Sequence, residues 1–346
     1  MNCVGKEMIC IDDIFPAFSE NNVAIVFESS DYFAPYLDVA MLSLIQTMSP
    51  QHNYDIIVLS SELEEQNEVE LKELVRGRKN IALRFFNPHA IAKTYIKRAR
   101  YSYLEINYYR LLLPWILVNY DKVINLGADI VVEHDLADLF QTELSENCYI
   151  AGAPDLGYIG RLSIDISPKE LGMRDPYKYV NADVLLMNLK AIRAEVDRDW
   201  LMSLWQKRQF MCSEQDVLNL AFESHIQHLD LRWNLYPERM NSEYHIRSAP
   251  IESVRAWEIA KEDPYIIHYA AVPKPWDSPL VGMGIRWWKY ARQSVYYEEI
   301  IRRMCTHQSG SSSPIGVKGA IVIYAKKHCP KFLRPFAKLV KRLLKW

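Results

Sequence analysis

The chain has 346 residues, of which 49% are hydrophobic and 24% charged, enough to build a sizeable core in one large or two small domains. Its net charge is −2, but eleven Lys and Arg and no acidic residue follow Glu299, and the 30 basic and 43 acidic residues before that point give −13. An acidic body argues against nucleic-acid binding, whereas the basic end suits an anionic partner. No window has the roughly 20 apolar residues of a membrane span, and six scattered cysteines without a CxxC pair indicate a reducing compartment rather than a zinc cluster.

The first hundred residues alternate between strand and helix patterns. Short β-branched runs predict strands, and apolar residues at helical spacing predict the helices between them. In chain order these are a strand at 23–27, a helix at 36–48, a strand at 54–59, a charged helix at 62–75 and a strand at 81–86. This alternation predicts a parallel sheet with helices on both faces, whose ligands lie beyond the carboxyl ends of the strands.

The rest of the chain continues with less regular spacing. Asp135 is suited to cap a short helix, and His268 lies near the end of a predicted strand. The predicted strands are 121–126, 130–132, 184–187 and 265–269, and the predicted helices are 103–117 (interrupted at Pro114), 135–140, 189–205, 214–222 and 286–304.

Seven short motifs occur in an order and spacing that resemble glycosyltransferase family 8. They are VAIVFESSDYFAPY at 23–36, YYRLLL at 108–113, YDKVINLGADIVVEHDL at 120–136, NADVLLMNL at 181–189, EQDVLN at 214–219, LRWN at 231–234 and HYAAVPKPW at 268–276. The resemblance covers roughly residues 22–290. It implies a GT-A fold, an α/β Rossmann-like mixed sheet flanked by helices. It also implies a UDP-sugar donor, a glycan acceptor, transfer with retention, and a divalent cation that is usually manganese.

The same resemblance assigns the site residues. Asp129 and His268 match the family's metal ligands, but the first carboxylate of its Asp-x-Asp motif reads Gly127. The manganese is therefore expected to bind weakly without the donor, and Gly127→Asp is expected to tighten it unless Asp183 or Glu28 compensates. The donor-binding candidates are Glu28, Ser30, Tyr32, Arg110, Asp129, Asn181 and Lys274, and the catalytic candidates are Gln215, Glu214 and Asp183.

Six of the candidates also have a structural interpretation. Asp129 suits a turn between strands, His268 a core position, and Gln215 a helix surface. Lys274 suits a solvated loop and Arg110 a structural ion pair. Asp183 stands where the family has glycine, either as a substitution without a role or as a carboxylate that partly replaces the charge missing at Gly127. We expect Asp129 and His268 to lie close together, with open space between them and Lys274.

Two functions from different classes follow. The first is a retaining hexosyltransferase that moves a sugar from a UDP-sugar to a glycan or lipid-linked glycan in bacterial surface polysaccharide or lipopolysaccharide synthesis. Attack on the donor could be front-face, or a double displacement with Glu214 or Asp183 as nucleophile. The alternative is a catalytically weak family member that binds nucleotide sugar or supports a partner transferase. A minor variant of the first works without metal, through Arg110 and Lys274.

Composition divides the chain into four parts. We predict an N-terminal extension at 1–21 without signal-peptide character, a GT-A domain at 22–306, a linker at 307–317 and a basic tail at 318–346. Within the tail, residues 331–346 form an amphipathic pattern with cations beside an apolar face, which suits an anionic membrane surface. We therefore expect a cytoplasmic protein associated peripherally with the inner face of the cell membrane, with docking of the tail on the acidic body as the alternative.

Overall fold

A computed structural model describes residues 14–96, 103–207, 210–238 and 240–310. The predicted amphipathic tail and residues 1–13 of the predicted N-terminal extension lie outside these residues. The strands are β1 Asn22–Glu28, β2 Asn53–Leu59, β3 Ile81–Phe86, β4 Lys122–Leu126, β5 Ile130–Val132, β6 Ile150–Pro154, β7 Val180–Asn188, β8 Ile226–His228 and β9 Ile266–His268. The helices are α1 Ala34–Thr47, α2 Glu65–Glu73, α3 His89–Ile96, α4 Tyr103–Ile116, α5 Leu136–Phe140, α6 Leu156–Arg161, α7 Leu189–Glu195, α8 Arg198–Lys207, α9 Ser213–Phe222, α10 Glu243–Ile246, α11 Ile251–Ala260, α12 Gly284–Ala291 and α13 Tyr297–Gly310.

The main sheet has seven strands in the order β3-β2-β1-β4-β7-β6-β8. β7 is antiparallel to both of its neighbours, and every other pairing in the sheet is parallel. The sheet is therefore mixed, as the family resemblance implies, rather than purely parallel. Because β7 runs backwards, its first residues lie at the carboxyl edge of the other strands, where ligands bind in such folds.

The sheet is covered on both faces. Ala24 and Val26 of β1 pack into a core shared with α4, α7 and α9. Val23, Ile25 and Phe27 point to the other face and pack with α1. A strand buried on both faces carries apolar side chains at consecutive positions, which explains why β1 and β2 could be predicted from short apolar runs.

Some predicted elements differ from the structure. The helix α4 runs through Pro114 to Ile116 instead of being interrupted there. The predicted helix 189–205 is two helices, separated where Val196 is extended and Asp197 caps the backbone N–H of Trp200. The predicted helix 286–304 is likewise divided into α12 and α13.

Helix α13 continues to Gly310, so residues 307–310 of the predicted linker are helical. The described residues up to Ile300 form one compact unit, and the predicted boundaries at 306 and 317 stay predictions. Within the part of the chain that the structure describes, no helix combines the length and apolarity needed to cross a bilayer.

Candidate active site

Three side chains from distant parts of the chain meet at the carboxyl edge of the sheet. Asp129 Oδ1 and Asp183 Oδ2 each lie 3.4 Å from His268 Nε2. One ligand atom from each of the three residues lies within 4.8 Å of the other two, as shared coordination of one ion requires. The predicted proximity of Asp129 and His268 is therefore confirmed, and Asp183 joins them.

Backbone pairing explains this meeting. β7 lies beside β4, and the N–H of Gly127 donates to the carbonyl of Asp183 at 2.9 Å. In the second, two-stranded sheet, β5 pairs with β9 so that Ile130 lies opposite His268. The residue before Ile130 is Asp129, so the same pairing brings the carboxylate and the imidazole together.

His268 is fully buried and is oriented by one neighbour. Its Nδ1 lies 2.8 Å from Asn234 Oδ1, an acceptor, so Nδ1 carries the proton when the imidazole is neutral. Its Nε2 has no hydrogen-bond partner among the described residues. A buried imidazole nitrogen that makes no hydrogen bond among the described residues, together with two carboxylate oxygens 3.4 Å away, is a donor set that fits a divalent cation such as manganese.

The charges around His268 change its protonation. Burial lowers the pKa of His268, but Asp129 and Asp183 outweigh burial and raise it to about 9. Without an ion the ring therefore carries a proton near neutral pH and occupies the place of a cation between the carboxylates. A metal ion must displace that proton to bind Nε2.

Each carboxylate is also held by a cation. Lys274 Nζ donates to Asp129 Oδ2 and to the carbonyl of Tyr269, both at 2.5 Å. The predicted opening between Asp129 and Lys274 is therefore wrong, because the two are directly paired. Arg110 Nη1 donates to Asp183 Oδ1 at 2.8 Å and to the carbonyl of Ala182 at 2.9 Å.

These pairs keep both acids ionised. Burial alone would raise the pKa of Asp129, but Lys274 and His268 hold it below its ordinary value. Burial acts against Asp183 too, and Arg110 together with His268 lowers its pKa to about 2. Both carboxylates are therefore ionised over the whole physiological pH range.

Arg110 is buried next to Asp183. It is 4% exposed, and its guanidinium is 3.5 Å from both Glu28 Oε2 and Glu214 Oε1. Burial raises the pKa of Glu28 and of Glu214 to about 7 despite Arg110. Asn125 Nδ2 donates to the other oxygen of Glu28 at 2.7 Å. Arg110 is thus paired with three acidic side chains inside the protein and has little exposure to solvent.

The amides of Gln215 and Asn181 are fully engaged with the protein. Gln215 Oε1 accepts from Asn181 Nδ2 and from the N–H of Ala182, and its Nε2 donates to Asp155 and to the Tyr179 hydroxyl. Asn181 Oδ1 accepts from the N–H of Asp183 and from Asn234 Nδ2. These contacts hold the start of β7 and, through Asn234, the His268 ring.

Ser30 and Tyr32 lie just beyond the carboxyl end of β1. Ser30 precedes a 3-10 turn at Asp31–Phe33 and is half-buried. Tyr32 is 52% exposed and packs edge-to-face against Phe33 and Tyr36. Both residues are therefore on the expected edge of the sheet, with Tyr32 accessible from solvent.

Three site residues were not predicted from the sequence. Asn234 lies in the LRWN motif, whose arginine and tryptophan are more conspicuous. Asn125 is a polar residue inside the apolar strand KVINL, and that contrast was an available signal. Asp155 follows β6, a strand of small residues (IAGAP) that carries no strong strand pattern.

The fold and this cluster of acids, imidazole and cations define a GT-A glycosyltransferase architecture. Residues 24–279 match the model of Glycosyl transferase family 8, and the chain belongs to that family. Among curated proteins it is 31% identical over 178 residues to the glycosyltransferase GlyE of Streptococcus pneumoniae serotype 4, a match that covers 50% of this chain and 38% of GlyE.

Solved structures of glycosyltransferases resemble the fold of this chain. The apo bifunctional glycosyltransferase WbbM has a TM-score of 0.77 at 26% identity, covering 84% of this chain and 53% of that one. The galactosyltransferase LgtC, solved with donor and acceptor sugar analogues, has a TM-score of 0.63 at 26% identity, covering 79% of this chain and 96% of LgtC. The chain thus spans less than two thirds of GlyE and of the WbbM chain.

Proposed function

We propose that the protein transfers a hexose from a UDP-sugar to a glycan acceptor with retention at the anomeric carbon. The observation that carries this proposal is the meeting of Asp129 and His268, with His268 Nε2 free of hydrogen bonds among the described residues, at the carboxyl edge of a family 8 fold. The LgtC structure with donor and acceptor analogues supports a nucleotide-sugar donor and a sugar acceptor.

Some side chains of the site are proposed to bind the cation or the donor, and others to position those side chains. Asp129 and His268 would hold a manganese or another divalent cation, which neutralises the charge that develops on the leaving diphosphate. Lys274 orients Asp129 and retains donor capacity for a phosphate oxygen, since an ammonium has three protons and two are engaged. Asn234 presents Nε2 of His268. Glu28, Ser30 and Tyr32 are proposed to contact the nucleotide.

The contacts of the three catalytic candidates, Asp183, Glu214 and Gln215, help to choose between the two routes to retention. Asp183 has one oxygen on Arg110 and the other directed at His268, which makes it poorly available as a nucleophile. Glu214 is buried, and its pKa of about 7 leaves it substantially protonated at neutral pH. The saturated amide of Gln215 favours a positioning role. These features support front-face attack over double displacement.

The test is a donor screen on the purified full-length protein. UDP release and product formation would be measured with UDP-hexoses and a set of simple glycosides, with manganese and with EDTA. We expect donor consumption that requires the cation, and an anomeric configuration in the product that matches the donor. Asp129→Asn is expected to lower turnover at least about 100-fold, because charge stabilisation of this kind supplies several kcal/mol. Cation-independent turnover, or inversion, would contradict the proposal.

The alternative is a catalytically weak protein that binds a nucleotide sugar or supports a partner transferase. Gly127 in place of a carboxylate favours it. A thermal shift with UDP-sugar and manganese, without consumption of any donor, would support this alternative, because ligand binding raises the melting temperature without chemistry.

The proposed acceptor is a growing glycan, carried on a lipid or a lipopolysaccharide core, at the inner face of a bacterial cell membrane. The basic pattern at 331–346 supports this location, because an apolar helical face between cations suits a lipid headgroup layer. The protein would then act in the cytoplasm, where nucleotide sugars meet such acceptors.

A further inference from the structure

The space beside Gly127 is already filled by another acid. A Cβ added at Gly127 would lie 3.1 Å from Asp183 Cβ, 3.2 Å from Asp183 Cγ and 3.1 Å from Asp129 Oδ1. These distances are tighter than ordinary side-chain contacts. A side chain at position 127 and the Asp183 carboxylate would therefore compete for one volume, although the two residues are far apart in sequence.

We propose that Asp183 supplies the carboxylate that position 127 lacks, so that the cation is held by Asp129, Asp183 and His268. This inference rests on the proposed function only in assigning a divalent cation to the site. The sequence predicted that Gly127 weakens the affinity for the metal. With Asp183 as a ligand, the site keeps two carboxylates and one imidazole, so no such weakening is expected.

The orientation of Asp183 suits this role. Arg110 takes its Oδ1 and leaves Oδ2 directed at His268 Nε2, 3.4 Å away. Asp129 is arranged in the same manner, since Lys274 takes its Oδ2 and leaves Oδ1 at 3.4 Å from the same nitrogen. Each carboxylate thus has one oxygen fixed by a cation and one oxygen left for an ion.

The rival interpretation is that Asp183 serves only as a counter-ion for Arg110. The chain offers a matched control for this, because Asp55 pairs with Arg84 at 2.7 Å and its side chain is fully buried in β2. Removing either acid breaks a partly buried Asp–Arg pair, since Asp183 is 31% exposed in one pair and Arg84 is 27% exposed in the other. Only the loss of Asp183 removes a proposed ligand.

The experiment measures Mn²⁺ binding to the full chain without donor, by the electron paramagnetic resonance signal of the free ion, with circular dichroism as a check of folding. We expect Asp183→Asn to weaken binding about tenfold or more, because the affinity of a cation site falls with the number of charged ligands, while Asp55→Asn leaves the affinity unchanged. We also expect the exchange variant Gly127→Asp/Asp183→Gly to bind Mn²⁺ far more tightly than Asp183→Gly alone, and Gly127→Asp alone to bind no better than the parent.

Several outcomes would overturn the inference. They are a parent that does not bind Mn²⁺, an Asp183→Asn variant that keeps the parent's affinity, or an exchange variant no better than Asp183→Gly. A gain by Gly127→Asp alone that equals the exchange variant would also overturn it, because the two positions would then not share one volume. A parent that binds Mn²⁺ through Asp183 but consumes no donor would leave this inference standing and refute the proposed transferase.

Discussion

Asn234 determines which nitrogen of His268 faces the two carboxylates. It accepts from Nδ1 and donates to Asn181, which also holds the backbone of Asp183. We predict that Asn234→Ala weakens Mn²⁺ binding by about 10- to 100-fold, as loss of a residue that orients a ligand commonly does. The measurement is a titration of the free-ion signal.

Asn188 provides the control for this prediction. It lies at the opposite end of β7, where its side chain accepts from the N–H of Ala191 and caps α7. Asn188→Ala is expected to cost about 1 kcal/mol of unfolding free energy without changing Mn²⁺ affinity. Equal losses of affinity in the two variants would mean that general destabilisation, not the His268 ring, accounts for the effect.

Asp38 is a buried acid that the site does not use. It lies in α1, fully buried, and burial raises its pKa to about 6, with Ser294 opposing and Glu70 adding to the rise. Because the folded-state pKa lies above the ordinary value of 3.8, ionisation lowers stability as the pH rises from about 4 to 6. Asp38→Asn should therefore stabilise the protein by roughly 2–3 kcal/mol at pH 7.5 and by much less at pH 4.5.

Urea unfolding at the two pH values checks this prediction. A gain of the same size at both would show that the effect comes from packing or hydrogen bonding of the amide. The difference between the gains at pH 7.5 and pH 4.5 therefore distinguishes an effect of charge from an effect of packing at the same position.

Residue-level prediction from the sequence worked where a motif carried the information. Asp129 and His268 were placed by their neighbours in the chain, and the structure brings their side chains together. The sequence also offered Asp183 as a carboxylate that partly replaces the charge missing at Gly127, but its contacts with Arg110 and His268 could not be predicted from the motif. Its closeness to Gly127 and His268 depends on the reversed direction of β7, which no local pattern encodes.

Arg193 of α7 caps the carboxyl end of the neighbouring helix α4. Its guanidinium donates to the carbonyls of Pro114, Leu117 and Tyr120, in and just after the last turn of α4. Carbonyls at a helix end lack partners within the helix, and a cation there also interacts favourably with the helix dipole. We predict that Arg193→Met lowers the free energy of unfolding by about 2 kcal/mol, measured in urea.

Lys190 is the matched control on the same helix. It forms a salt bridge with Asp121 at 3.4 Å in which both side chains are 71% exposed. Such exposed pairs are worth little, so Lys190→Met should change stability by less than about 0.5 kcal/mol. Similar losses for both variants would contradict the assignment of a capping role to Arg193.

At the scale of elements, the sequence predicted the apolar strands better than the small ones. β1, β2 and β3 were recognised because buried β-branched runs are distinctive. β6 was missed, since its residues IAGAP lack that signal and its strand character comes from pairing with β7 and β8. The break between α7 and α8 carried a usable signal in Asp197, a helix-capping residue in the middle of an apolar periodicity.

The uneven distribution of charge concerns the molecule as a whole. The body is acidic, and the basic pattern at 331–346 lies outside the described residues. We predict that the full chain sediments with vesicles containing anionic lipid and that added salt releases it, because each cation near such a surface contributes about 1 kcal/mol. Lys338→Glu/Lys341→Glu should abolish most of this binding.

Neutral vesicles provide the control, and a variant that exchanges Lys72 and Lys79 for Glu on the body controls for total charge. Binding that ignores salt, or that survives the tail substitutions but not the body substitutions, would assign the membrane surface to another region. Loss of binding in both variants would indicate that net charge alone governs it.

The pairing of β5 with β9 has a consequence for the order of folding. His268 faces the carboxylates only when it lies opposite Ile130, and a slip of one residue would turn the imidazole to the opposite face. Of the nine strands in the described residues, the strand that carries this ring is the last in chain order, so it is synthesised after both acids. The pairing of β9 with β5 therefore also brings the imidazole to the proposed cation site. A divalent ion present during refolding would therefore select chains in the native register, and metal capture could be used to time the final closure of the domain.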